Sequence, residues 1–205
     1  PLSFGWAIVR HGLFDVRKAL VRWIGYFLVL GTALGLYLVG RDYVFPRTSN
    51  AIVKAYAAAN GIEIKGEDYV PLDSTNFATI VNKIRTAGAD AIFNVVVGGS
   101  LTSFFREYNS AGLTPQVMPV MSMCVGEEEV RSIGADTLTG QLSSWNYYQT
   151  LDTPANVKFV ADFKARYGAD RVTSDPMESA YAAVHLWKAT VEKANSFGVP
   201  DIQRA

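Results

Sequence analysis

From Leu36 onward, short apolar runs alternate with stretches in which apolar residues return every three or four positions. Leu36–Val39 reads as a strand. Thr48–Asn60 reads as a helix, with Ile52, Val53 and Tyr56 on one face and Gly61 as its stop. A strand follows within Ile62–Leu72. Ser74 or Thr75 then caps a helix whose Phe77, Ile80, Val81 and Ile84 share a face. Ala91–Val97 is nearly all apolar, as a strand covered on both faces should be. Gly98-Gly99-Ser100 leads into a helix that buries Phe104, Phe105 and Tyr108 and stops at Gly112. Repeated strand-helix units predict an α/β fold: a Rossmann-like parallel sheet with flanking helices and right-handed crossovers.

The later pattern is less regular. Val117–Met121 predicts a fourth strand, Gly126–Ile133 a short helix with three acids in its first turn, and Gln141–Tyr147 a fifth strand. Asp152-Thr153-Pro154 opens a helix through Phe159, Val160 and Phe163 to Gly168. Thr173-Ser174-Asp175-Pro176 opens the last helix, to about Ala194, whose stripe of Tyr181, Val184, Trp187 and Val191 has the spacing of a core face.

The first residues read differently. Arg10, Arg17, Lys18 and Arg22 precede an uncharged run from Trp23 to Gly40, close to the length of a membrane span. Three readings stand together: a membrane or export segment, a buried helix leading into the first strand, or sequence foreign to the fold. Residues 1–35 are therefore set apart from a lobe at 36–150 and helices at 151–205.

Composition narrows the chemistry. Among 205 residues, 19 Lys and Arg balance 19 Asp and Glu, so no field draws the chain to nucleic acid. The single Cys124 excludes an internal disulfide, and two distant histidines give no metal cluster.

The candidate residues follow strands: Tyr43, Phe45 and Pro46 after the first, Gly98, Gly99 and Ser100 after the third, Ser122, Met123, Cys124 and Val125 after the fourth, Trp145 in or after the fifth. In open α/β sheets such loops gather at one edge, where ligands bind. Tyr43 and Phe45 can cover the faces of a small flat molecule, while backbone amides near Gly98 and the hydroxyls of Tyr43 and Ser122 can satisfy its polar edge. Enzyme readings rest on Cys124 as a nucleophile ahead of a helix, or on Asp175 and Glu178 as an acid/base pair. Against them, a lone cysteine is ordinarily a small buried hydrophobe, and the two acids suit a helix start. Gly98-Gly99-Ser100 lacks the further glycines or the Gly-Lys of a nucleotide cradle.

Gly40-Arg41-Asp42-Tyr43-Val44-Phe45-Pro46-Arg47 with Asn50 resembles the G-x-[DN]-Y-[VI]-[FY]-P-R-x-x-N signature of urea- and short-chain-amide-binding proteins. These are type I periplasmic binding proteins, related to the branched-chain amino-acid receptors of ABC transporters. Further similar strings are Tyr69-Val70-Pro71-Leu72, Val96-Val97-Gly98, Pro119-Val120-Met121-Ser122 with Glu127 and Glu129, Asp152-Thr153-Pro154, and Tyr167-Gly168-Ala169 through Asp175-Pro176-Met177-Glu178-Ser179-Ala180-Tyr181. The resemblance implies one lobe of a two-lobed clamshell plus part of the return to the other, a periplasmic location, an ABC transporter permease as partner, no catalysis and no cofactor. Tyr43 is the strongest contact carried over. Ser122, Cys124 and Val125 follow, then Trp145, Asp175 and Glu178. A cytoplasmic amide sensor is the alternative within the fold. The resemblance does not extend to residues 1 to about 33, and the chain ends early for this family. The expectation is a fragment lacking half its cleft, weak in binding, with an uncovered Tyr181, Val184 and Trp187 face that promotes self-association.

Overall fold

In the computed structural model, residues 35–71 and 73–205 are described. The expected segment at 1–35 lies outside them, apart from Gly35. The described chain runs β1 (Gly35–Arg41), α1 (Val44–Ala59), β2 (Glu63–Val70), α2 (Ala78–Thr86), β3 (Ala91–Val95), α3 (Ser100–Ser110), β4 (Val120–Ser122), α4 (Glu127–Ile133), α5 (Ala135–Leu138), β5 (Leu142–Ser143), α6 (Pro154–Tyr167), α7 (Asp175–Ala194) and α8 (Val199–Arg204). It forms two compact units. One takes in the described residues up to Val125 with Glu129–Asn146, the other Gly126–Glu128 with Tyr147–Ala205.

The first unit holds a five-stranded sheet in the order β2-β1-β3-β4-β5, every pair parallel. This is the α/β architecture that the alternating pattern predicts. Strand side chains point alternately to the two faces, and so the apolar runs fill two cores. Tyr37, Val39 and Ile92 join Phe77, Ile80, Ile84, Phe104, Phe105 and Tyr108 of the α2–α3 layer. Leu36, Leu38, Phe93 and Val95 pack with Val53 of α1 on the other face. The rings of Phe77 and Phe104 meet edge to face at 5.7 Å, and those of Phe104 and Phe105 at 5.3 Å.

Several boundaries differ from expectation. Helix α1 begins at Val44, so Phe45 and Pro46 lie in its first turn and not before it. Proline is tolerated there because the first-turn N–H groups have no intrahelical acceptor. Helix α2 begins at Ala78 without a Ser74 or Thr75 cap; Phe77 takes the preceding position, buried, and Asn76 Oδ1 accepts from Ala78 N at 3.3 Å. Ser74 is occupied elsewhere, its carbonyl accepting the Ser100 hydroxyl at 2.6 Å. Strand β4 omits Val117, which is exposed, and β5 keeps only two residues of the expected Gln141–Tyr147.

In the second unit, Thr153 caps α6 through its hydroxyl, which accepts from Asn156 N at 3.2 Å, with Pro154 in the first turn. Tyr147, Phe159, Tyr181 and His185 form a ring ladder, with Phe159 and Tyr181 4.5 Å apart. The stripe has core spacing, and Tyr181, Val184 and Trp187 are all exposed, in line with the expectation of an uncovered face. Amphipathic spacing marks a face that can be covered; it does not supply the cover.

Candidate functional site

The sheet order reverses direction between β1 and β3, since β2 lies on one side of β1 while β3, β4 and β5 lie on the other. That reversal opens a crevice at the carboxyl ends of β1 and β3. It is bordered by Tyr43 and, in the first turn of α1, Phe45 on one side and by Val96–Gly99 on the other.

Tyr43 and Phe45 are the ring surfaces of this edge. They are 37% and 44% exposed, and their centroids lie 6.4 Å apart at an interplanar angle of 31°. Burial pushes the Tyr43 phenol above its ordinary value; the Cys124 sulfur adds to the rise and the Arg41 guanidinium opposes it. The phenol is therefore a protonated donor throughout the neutral range, within electrostatic reach of both the β1 and the β4 ends. Gly98 is exposed, with φ +64 and no atom within 4 Å of where a Cβ would stand. A side chain there is opposed by backbone conformation and not by crowding.

The β4 residues are more enclosed. Ser122 is 2% exposed, and its Oγ accepts from Asn94 Nδ2 at 3.0 Å, leaving its own proton to donate. Asn94 Oδ1 in turn accepts from Val96 N at 2.9 Å, so one buried amide ties the ends of β3 and β4 together. Cys124 and Val125 are buried. Trp145, after β5, is half-buried.

Asp175 and Glu178 belong to the second unit. Asp175 is the buried first residue of α7 and Ser174 stands at its cap position, so the pair forms a helix start. Burial raises the Glu178 carboxyl above the usual carboxylate range, and the Asp175 carboxylate raises it further. Nearby in sequence terms to none of them, Tyr147 donates to Asn156 Oδ1 at 2.8 Å and has Thr173 Oγ1 at 2.7 Å. Gln149 binds both Glu127, through its N–H at 2.7 Å, and Thr173 N, through Oε1 at 2.9 Å. Burial raises the Tyr147 phenol, the Thr173 contact lowers it, and the Glu127 and Glu178 carboxylates raise it again.

Three residues escaped the sequence reading: Arg41, Asn94 and Tyr147. Arg41 had a signal. As the seventh residue of β1 it shares the face of Tyr37 and Val39, and a cation on an otherwise apolar strand face is uncommon. Its Nη2 donates to Val97 O and to Ser100 Oγ, both at 2.7 Å. Among the described residues, no group of three or more His, Cys, Asp or Glu is arranged to hold a metal.

A doubly wound parallel sheet with aromatic loops at its switch point is the frame of an α/β ligand-binding lobe. The chain belongs to the periplasmic binding protein domain family, which matches residues 20–205. It is 27% identical over 146 residues to Leu/Ile/Val-binding protein homolog 6 of Brucella abortus (strain 2308), covering 70% of this chain and 37% of that protein. A solute-binding protein of an ABC transporter from Rhodopseudomonas palustris HaA2, solved in complex with p-hydroxybenzoic acid, is similar with 26% identity and a TM-score of 0.77, covering 87% of this chain and 49% of that one. An amino acid ABC transporter substrate-binding protein from Pseudomonas fluorescens Pf-5 shares the fold, with 22% identity and a TM-score of 0.77 over 88% of this chain and 48% of its own. The chain thus spans less than half the length of each of these relatives.

Proposed function

We propose that this chain is part of the substrate-binding component of an ABC transporter, working in the periplasm with a membrane permease, and that its ligand is urea or a short-chain aliphatic amide. The observation that carries the reading is the Tyr43–Phe45 ring pair at the β1/β3 switch point, on the loop that matches the amide-binding signature. Two ring surfaces and a protonated phenol suit a flat, neutral, polar molecule. Gly98, Ser122, Cys124, Val125 and Trp145 are the further contacts of the same edge. Asp175 and Glu178 are proposed contacts from the second unit. Catalysis by Cys124 has little support, because the thiol is buried.

A second reading is an aromatic acid, favoured by the p-hydroxybenzoic acid held by the R. palustris relative. Both ligands offer a flat face to the rings.

Small ligands bind weakly. Urea has about four heavy atoms, and at a ceiling of about −1.5 kcal/mol per atom its best binding energy is roughly −6 kcal/mol, weaker than micromolar. Backbone-amide NMR titration at millimolar ligand suits this range. Shifts at the Tyr43, Gly98 and Ser122–Val125 loops with urea and acetamide support the amide reading. Shifts there with p-hydroxybenzoate alone replace it by the second, and shifts with leucine alone move the ligand to amino acids.

A further inference from the structure

Arg41 sits at the carboxyl end of β1, beside the proposed ligand edge, and is 2% exposed. Its Nη2 is spent on Val97 O and Ser100 Oγ. Its Nε is buried with no hydrogen-bond partner among the described residues. Its Nη1 has the Asp73 carboxylate 4.0 Å away, too far for a hydrogen bond, and that carboxylate is fully exposed to solvent. The neighbouring charges do not offset the guanidinium: Asp42 is taken by Arg47, at 2.6 and 2.8 Å. A buried cation with such weak compensation attracts an anion, and arginine suits carboxylates. The partners of Nη2 place it at the start of α3, an eleven-residue helix whose N-terminus adds partial positive charge.

We propose that Arg41 is an anion anchor of the ligand edge, so that the preferred ligand carries a carboxylate next to its flat amide or ring, with the carboxylate seated on Arg41 Nη1 in place of Asp73. The inference rests on the reading that this edge holds the ligand, and within it sides with a carboxylate-bearing flat ligand over the neutral amides. Asp73 is the competing carboxylate. Its φ of 62 suits asparagine equally, so Asp73→Asn leaves the turn intact while removing the competitor.

The test is NMR and calorimetric titration of the full chain with oxamate, which has an amide and a carboxylate, and with acetamide, which has the amide alone. Oxamate is expected to bind about tenfold more tightly than acetamide, to lose that advantage as salt rises, and to shift the Arg41 Nε–H resonance. Asp73→Asn should tighten oxamate a fewfold and leave acetamide unchanged. Arg41→Lys, which keeps the charge and loses the planar donor set, should narrow the gap. Equal binding of the two probes at the Tyr43 loop overturns the anchor and leaves the ligand edge standing. An Asp73→Asn chain with unchanged oxamate affinity also overturns the anchor. Absence of any shift at these loops with either probe overturns the anchor and the ligand edge together.

Discussion

A Cβ placed on Gly40 would stand 2.9 Å from the Cβ of Pro46. Gly40 ends the apolar part of β1 and Pro46 lies in the first turn of α1, so this contact sets how closely the helix enters over the strand. Gly40→Ala should therefore cost about 1–3 kcal/mol through forced separation of helix and strand. Chemical denaturation would show a lower midpoint with an unchanged slope. An unaltered midpoint would mean that α1 shifts freely, and that the Tyr43–Phe45 pair is not held in place by it.

The rest of the signature string is also largely architectural. Asp42 pairs with Arg47, whose guanidinium lies 4.4 Å above the Tyr69 ring, and Asn50 Nδ2 donates to the Tyr69 hydroxyl at 3.1 Å. Only Tyr43 and Phe45 are left facing outward with aromatic surface. Tyr43→Ala should abolish amide-dependent shifts while leaving the unfolding midpoint within about 0.5 kcal/mol of the parent, because the ring is more than a third exposed. Tyr43→Phe should retain part of the binding, since the ring face survives and the phenol donor does not. Equal loss in the two variants would assign the binding to the hydroxyl alone.

The sheet was legible because short continuous apolar runs and period-3.6 helices leave different marks, and Leu36–Val39 and Ala91–Val97 are such runs. The loops at the carboxyl ends of β1 and β3 followed from topology. Arg41 was not legible as a network residue, because its partners Val97 and Ser100 lie far along the chain and meet it only through the β1–β3 pairing. The α7 stripe is a related case. Tyr181, Val184 and Trp187 have core spacing, but cover depends on what packs against a helix, and its own sequence does not encode that.

That exposed stripe predicts association. Val184 is 66% exposed and Trp187 53%, on one face of a twenty-residue helix. Light scattering should show mass rising with concentration, and Val184→Glu should suppress the rise without lowering thermal stability. A parent chain that stays at the mass of one copy at every concentration would remove self-association from the properties of this face.

Alkaline pH should destabilise the fold through Tyr37. Burial raises its phenol well above the ordinary value, and the hydrogen bond to Asp68 and the charge of that carboxylate raise it further. A raised folded-state value means that the folded chain holds the proton more tightly than the unfolded one. The contribution is complete below about pH 10 and is lost as pH rises beyond it. Tyr37→Phe should flatten the alkaline limb of the stability profile. Asp68 would keep its ion pair to Lys83, at 2.7 Å, so the neutral-pH loss should be small. A limb of unchanged steepness would assign the alkaline loss to the other tyrosines with raised phenols, among them Tyr69 and Tyr108.

Glu178 carries the opposite test, at the acid side. Its carboxyl is raised by burial and then by Asp175, so ionising it works against the folded state. The sign follows from proton binding: stability from this group is complete below the unfolded value of about 4.3 and is lost as pH climbs through the raised folded one. The parent chain holds less of it at neutral pH than near pH 4. Glu178→Gln removes the ionisation while keeping size and hydrogen-bonding capacity, and should raise the melting temperature at pH 7 and match the parent near pH 4. If Glu178→Gln is less stable than the parent at pH 7, an unrecognised cation holds this carboxylate ionised. The same variant bears on binding. A ligand whose ammonium or amide N–H groups reach Glu178 should weaken in Glu178→Gln, whereas one held only at the Tyr43 edge should bind as before.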